Sequence, residues 1–278
     1  MNIKENVITT NDYVIKSNLP FCDYVINPYS GCTHACKYCY ASFMKRFTGH
    51  LEEWGTYIDI KKCDKKINTK KLEGKAIFLS SVTDPYNAFE AKYKLTRSIL
   101  EQLVDVDCTL YISTKSNLIT RDIDILKKFK NLQVAISINT LDEKFKADMD
   151  RASSISARLE ALKKLNENGI YTVLFMSPIF PEITNFKEIV EKSKSFVNEY
   201  WFENLNLRGT YKATIMDYIN KAYPQYIQIY DELYNKGIEK YWEDLEKEII
   251  KYCDENKIKY TNAFYHKKLV DEKKAKSM

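Results

Sequence analysis

Short apolar runs recur along the chain at Asp23–Asn27, Ala76–Ser81, Thr109–Thr114, Gln133–Ile138, Tyr171–Ser177 and Tyr200–Leu205. Each is rich in β-branched or aromatic residues and too short for a helix, which predicts buried strands. Between them, stretches such as Glu90–Val104, Arg121–Phe129, Ser156–Asn168 and Phe186–Phe196 place apolar residues three and four apart. The clearest begins Ser156-Ala157-Arg158-Leu159-Glu160-Ala161-Leu162 and is closed by Gly169, a glycine stop past a helix end. Near-continuous apolar strands alternating with helices predict a parallel sheet covered by helices. The expectation is an α/β fold: a partial (β/α)6 TIM-like barrel, since the two further strands of a closed eightfold barrel are not evident. Such barrels carry their chemistry at the C-terminal ends of the strands.

From Thr210 the pattern changes. Ile215–Asn235 and Ile238–Asn256 read as helices rich in Tyr, Lys and Glu, followed by one late strand candidate at Lys259–Phe264. The expected organisation is an N-terminal extension at 1–22, a barrel at 23–209, and a C-terminal helical cap with a basic tail at 210–278. A 45% hydrophobic content supplies a sizeable core, and 7 Gly with 6 Pro argue against long disordered linkers. No run of 18 apolar residues is present, so no membrane span is expected, and the first residues lack the layout of a secretory signal. The formal charge of +5 is spread among both signs. That pattern reads as solvated surface with a basic tail; nucleic acid stays a possible partner but is not favoured.

Cysteine usage changes the picture. Three of the 7 Cys fall within eight residues, in Asn27-Pro28-Tyr29-Ser30-Gly31-Cys32-Thr33-His34-Ala35-Cys36-Lys37-Tyr38-Cys39-Tyr40, directly after the first predicted strand. Clustered thiols and an odd total fit a metal site in a reducing, cytoplasmic setting better than a disulfide framework. Thiolates spaced Cys-x3-Cys-x2-Cys can hold three irons of a cubane and leave the fourth open. Gly31 lets the loop fold tightly. Zinc is the alternative, but a structural zinc wants four ligands, and His34 sits awkwardly between two of the cysteines. Cys108 reads as core, and Cys22, Cys63 and Cys253 are too scattered for a second cluster.

The loop resembles the radical S-adenosylmethionine (SAM) superfamily motif, Cys-x3-Cys-x-aromatic-Cys, with Tyr38 at the aromatic position. Further segments resemble the spore photoproduct lyase-like branch: Thr83-Asp84-Pro85-Tyr86 with Glu90, Ser113-Thr114-Lys115-Ser116 with Arg121-Asp122, Ser137-Ile138-Asn139-Thr140, Arg158-Leu159-Glu160, and Pro178-Ile179-Phe180-Pro181. The resemblance implies a [4Fe–4S] cluster on Cys32, Cys36 and Cys39 and reductive cleavage of SAM to methionine and a 5′-deoxyadenosyl radical. It also implies a low-potential electron donor such as a flavodoxin or ferredoxin, and Tyr38 packed against the cluster and adenine. Spore photoproduct lyase itself has a Cys just ahead of the Asp84 segment as hydrogen donor; Val82 stands here, so that reaction is not expected. Asp150-Arg151 replaces the branch's usual Glu-Pro.

At the predicted rim, Asp84 suits the SAM amino group, Lys115 and Arg158 suit its carboxylate, and Ser137, Asn139 and Asn204, beside Glu203, suit methionine, ribose or adenine. Each taken alone reads equally well as a surface or capping group; their joint placement favours function. The substrate is not identified by any residue. Tyr40, Tyr86 and His266 are the candidates for a catalytic role, and most other C-terminal tyrosines read as packing.

Overall fold

The structure, a computed structural model of the chain, describes residues 3–264. Its strands are β1 (Lys4–Thr9), β2 (Val14–Lys16), β3 (Tyr24–Ile26), β4 (Tyr29–Ser30), β5 (Tyr57–Lys62), β6 (Ala76–Leu79), β7 (Thr109–Thr114), β8 (Asn131–Ser137), β9 (Tyr171–Ile179), β10 (Glu199–Asn204) and β11 (Tyr260–Asn262). The six expected strands are β3 and β6–β10, side by side and parallel. Antiparallel β2 extends one edge and parallel β11 the other, giving an open sheet of order β11-β10-β9-β8-β7-β6-β3-β2. The barrel is therefore partial, as expected.

The helices cover one face. Leu79, Ile112, Val134, Leu174, Met176 and Phe202 share a single core with Leu103 and Leu126, with Leu162 and Leu165 of the helix Ile155–Glu167, and with Ile189 of the helix Phe186–Ser193. Each large apolar side chain buried there contributes about 1.5–3 kcal/mol relative to exposure. The opposite face carries a different set in register: Phe78, Tyr111, Gln133 and Tyr171, then Ser113, Ala135, Val173 and Glu199, then Ser137, Phe175 and Trp201. Alternation along each strand thus separates a dry side from a polar and aromatic one.

The predicted helix over 90–104 is broken: Glu90–Tyr93 and Leu95–Leu103 meet at Lys94, whose φ is +51. The C-terminal region holds the helices Gly209–Ala222, Ile227–Tyr234 and Lys240–Glu255. Pro224, which cannot continue a helix, separates the first two. Tyrosines fasten these helices to the barrel: Tyr230 donates to the Pro181 carbonyl at 3.2 Å, and Tyr241 accepts from the Glu182 N–H at 3.0 Å. β11 then returns to the sheet, so this region also supplies an edge strand.

A second sheet, β1-β5-β4, is not apparent in the apolar pattern. Tyr29, Ile58 and Ile60 form its own small core against Phe89, Tyr93 and Leu95. β4 runs directly into Gly31 and Cys32, so this sheet is the base from which the cysteine loop springs.

Candidate functional site

The cysteine loop is held on three sides. Against the small sheet, Gly31 takes φ +82, and a Cβ there would stand 2.6 Å from the Tyr57 carbonyl oxygen. Gly55 takes φ +94, and a Cβ there would stand 2.3 Å from the Ala35 Cβ. Both contacts are open only to glycine. Towards β6, the Thr83 hydroxyl donates to the Gly31 carbonyl at 2.5 Å, while Asn27 Oδ1 accepts from the Ser81 and Val82 N–H groups at 2.9 and 3.2 Å. Towards the segment after the helix Glu143–Met149, Lys37 N–H donates to the Met149 carbonyl at 2.9 Å, and Arg151 N–H to the His34 carbonyl at 2.7 Å.

Two buried carboxylates complete the hold. Asp84, 7% exposed, accepts from Tyr86 N–H at 2.8 Å, the Thr114 hydroxyl at 2.7 Å and Lys115 N–H at 2.8 Å. His34 Nε2 lies 3.0 Å from it, within ion-pair distance but not aligned as a hydrogen bond. Burial pushes the Asp84 carboxyl up, but the His34 charge and these donors outweigh it and hold it at about 2. Asp150 takes Arg158 Nη2 at 2.6 Å, Ala152 N–H at 3.0 Å and the Tyr38 hydroxyl at 3.4 Å.

These contacts bear on two sequence expectations. Asp84 accepts three hydrogen bonds from the protein across its two oxygens, so it holds the backbone around the loop. Arg158 is 1% exposed. Its Nε and Nη1 donate to the Ser153 and Ser137 carbonyls at 2.9 and 3.1 Å and its Nη2 to Asp150, which turns it away from any ligand carboxylate. His34 faces Asp84, and among the described residues no three Cys, His, Asp or Glu side chains converge on a single-ion site.

Other expected residues lie on the cysteine loop or at the strand ends. Cys32, Cys36 and Cys39 are free thiols on one loop. Burial drives all three thiols upward, Cys36 to about 12, and the neighbouring sulfurs raise Cys32 and Cys36 further. Lys115 works in the opposite direction on Cys36 and Cys39, and its Nζ lies 5.8 Å over the Tyr38 ring. Among the described residues no carboxylate reaches Lys115 as an ion pair. Tyr38 is buried edge-on to Phe180 at 5.4 Å. Ser137 ends β8 on the face shared with Phe175 and Trp201. The Asn139 amide donates to the Pro178 carbonyl at 3.0 Å. Asn204 ends β10 beside a register shift, and the adjacent Glu203 accepts from the Ser177 hydroxyl. Tyr40 reaches across to the Ser81 carbonyl and is more than half exposed.

Tyr86 is different. It is fully buried in the core beside Asp122, Glu90 and Arg121, which leaves its catalytic candidacy without support. Its neighbours form a closed ionic network: Arg121 Nη2 lies 2.6 Å from Glu90 and 2.7 Å from Asp122, and Tyr29 donates to Glu90 at 2.5 Å. His266 lies outside the described residues. Tyr57 of β5, which lies against Gly31, and Trp54 and His50, which pack on Tyr57, carry no motif signal; only the apolar run Tyr57-Ile58-Asp59-Ile60 hints at the strand.

This donor set fits an iron–sulfur centre. Three thiols on one loop at this spacing suit three irons of a cubane, and the Asp150 carboxylate beside them is already paired with Arg158. The radical SAM superfamily profile matches residues 26–192, from the end of β3 to the helix after β9. An uncharacterized protein of Methanocaldococcus jannaschii is 40% identical over 215 residues, 77% of this chain and 81% of that one. Among solved structures, spore photoproduct lyase complexed with dinucleoside spore photoproduct aligns with a TM-score of 0.54 at 18% identity, covering 79% of this chain and 66% of that one. SuiB of Streptococcus suis bound to S-adenosylmethionine aligns with a TM-score of 0.53 at 13% identity, covering 94% of this chain and 50% of that one. The chain therefore spans about two-thirds of the lyase and half of SuiB, and these likenesses concern the fold. A family profile across more than half the chain, centred on the cysteine loop and the strand ends around it, makes the protein a member of the radical SAM superfamily and an enzyme.

Proposed function

We propose that Cys32, Cys36 and Cys39 hold a [4Fe–4S] cluster whose open iron takes SAM. When bound and reduced, the cluster supplies the electron that cleaves SAM to methionine and a 5′-deoxyadenosyl radical, which takes a hydrogen atom from the substrate. The observation that supports this reading is three free thiols on one loop, Cys32 buried and Cys36 and Cys39 partly so, at the spacing Cys-x3-Cys-x2-Cys.

Each neighbouring residue then has a task. Lys115, which no carboxylate reaches as an ion pair among the described residues, takes the carboxylate of SAM. Ser137 and Asn204 offer polar groups at the ends of β8 and β10 for its methionine and nucleoside parts. Tyr38 shields the cluster side of the site from water between Phe180 and Lys115. Asp84 and Asp150 are positioning residues that fix the loop through His34 and Tyr38. Tyr40, at the rim beside Ser81, is the remaining described candidate for donating or accepting a proton. Val82 at the hydrogen-donor place supports a reaction other than photoproduct repair, on a substrate still to be found, with a low-potential flavodoxin or ferredoxin as electron source.

The test is anaerobic reconstitution with iron and sulfide, then dithionite and SAM, with 5′-deoxyadenosine read by mass spectrometry. Wild type should form it, and Cys32→Ala, Cys36→Ala and Cys39→Ala should not. Formation by any of the three variants at the wild-type rate would overturn the ligand assignment.

A further inference from the structure

We infer that the exposed turn carrying Phe43, Arg46 and Phe47 docks an acidic one-electron carrier protein that reduces the cluster, an inference that rests on the cluster reading above. Cys39 immediately precedes a short 3-10 helix, Tyr40–Met44, which runs straight into the helical turn Lys45–Thr48. Phe43 and Phe47 stand four residues apart and so share one side of it. Their rings meet edge-on, centroids 6.3 Å apart. Phe47 is 71% exposed, Phe43 40%, and Leu51, just past the turn, 92%. Lys45 Nζ donates to the Leu51 carbonyl at 3.0 Å, which ties the two ends of the turn together. Exposed apolar residues scattered singly are ordinary, whereas neighbouring ones rimmed by polar groups mark an interaction surface.

Charge selects the partner. From Tyr24 to Leu51 the chain contains no Asp or Glu, while Lys37, Lys45 and Arg46 fall in the same stretch. Among the described residues no carboxylate pairs with these cations: Arg46 lies 5.7 Å over the Phe47 ring and Lys37 5.4 Å over the Tyr218 ring. Glu52, the first acidic residue beyond them, is already taken by Lys4 at 2.6 Å and His50 at 3.0 Å. An apolar centre rimmed by cations complements an acidic protein, and like charge opposes a second copy of this basic surface. The patch is about one turn wide, which fits the small, transient contacts of electron-transfer pairs and not an obligate interface. Its place fits the task as well. Phe43 lies four residues from Cys39, about 8 Å along a helix of this pitch. A carrier seated there gives up one electron to the cluster from outside the barrel, so it leaves the strand ends to SAM and substrate. The carrier is oxidised by one electron, the cluster is reduced by one, and no proton moves.

The experiment follows cluster reduction by stopped-flow absorbance in the reconstituted protein, with reduced flavodoxin, reduced ferredoxin or dithionite as the electron source. Wild type runs beside the double variant Arg46→Glu, Phe47→Ser and a matched surface control, Ile250→Ser, Lys251→Glu, on the helix Lys240–Glu255. With at least one of the two carriers, the double variant should be reduced about tenfold more slowly at low salt, and high salt should narrow the gap. Dithionite should reduce all three proteins alike, and the control should match wild type throughout. Unchanged rates in the double variant with both carriers would overturn the inference alone. Wild type that holds no centre reducible by dithionite would overturn the cluster reading and this inference with it. Zero-length carbodiimide cross-linking of wild type to each carrier, mapped by mass spectrometry, decides the matter should the double variant fail to assemble. Cross-links from carrier carboxylates to Lys37 or Lys45 support the surface, and cross-links confined to other lysines overturn it. Binding to anionic vesicles or single-stranded DNA that the double variant loses, with carrier-driven reduction unchanged, would assign the patch to lipid or nucleic acid and overturn it as well.

Discussion

Gly55→Ala is a sharp perturbation because the added atom has nowhere to go. At φ +94 a Cβ-bearing residue is strained, at a cost of roughly 1–2 kcal/mol. The new Cβ also overlaps the Ala35 Cβ at 2.3 Å and its Cα at 2.8 Å, and overpacking of this kind adds about 1–3 kcal/mol. The combined loss of about 2–5 kcal/mol is a large share of a typical stability of about 5–15 kcal/mol. Relief requires Ala35 to move, and Cys36 moves with it. Gly74→Ala is the matched control: φ there is +66, but nothing lies within 4 Å of the new atom, so only the roughly 1–2 kcal/mol of backbone strain applies. Urea unfolding of both variants, with iron and sulfide counted after reconstitution, separates the two effects. Gly55→Ala should be the less stable and should load less iron, whereas Gly74→Ala should load as wild type. Equal stability and equal iron content in the two variants would refute the claim that the small sheet clamps the cysteine loop.

Arg158→Met strands the Asp150 carboxylate with only Lys146, 3.5 Å away, as a charged neighbour. A loss of about 3–5 kcal/mol is expected by urea unfolding, and a negligible loss would show Arg158 free for a ligand after all. Tyr86→Phe should form 5′-deoxyadenosine at the wild-type rate, because the phenol is buried in the core; a folded but inactive variant would return Tyr86 to the site. Glu199 accepts from Trp201, Thr261 and Tyr171 and pairs with Lys259. Burial raises its carboxyl, but these donors together hold it below the ordinary value. Its contribution is thus fully present above the ordinary glutamate pKa and is lost as pH falls through the lower folded value. Glu199→Gln should lose about 1.5–3 kcal/mol at pH 7 and flatten the acid limb of stability against pH, and an unchanged acid limb would discount this network.

The six parallel strands were legible because both faces of each are covered or lined, leaving compact apolar runs between Gly, Pro and polar breaks. β1 and β5 were not. β1 is exposed along most of its length, so its sequence carries no apolar signature. β5 ends in Lys61 and Lys62 and blends into a basic stretch. The metal ligands were legible because three cysteines at fixed spacing have few other uses. The charged rim residues were harder, since a buried aspartate or arginine looks the same in sequence whether it binds a ligand or locks a loop. Asp84 turned on Thr114 and His34, and Arg158 on Asp150, the residue that departs from the branch pattern. Tyr86 sits two residues from Asp84, yet its side chain is packed in the core beside Asp122, Glu90 and Arg121, which the sequence does not reveal. The chain from 265 onward, including His266, lies outside this account.

The central claim is that three thiols of one loop hold a cubane whose remaining iron is open to SAM. The most direct measurement is electron paramagnetic resonance of the anaerobically reconstituted, dithionite-reduced protein before and after SAM is added, with iron and sulfide counted on the same sample. The account predicts about four irons and four sulfides per chain, a reduced-cluster signal, and a change in that signal on SAM addition that Lys115→Ala shifts to higher SAM concentration. A bound zinc ion with no reducible centre, or a cluster signal indifferent to SAM, would contradict it.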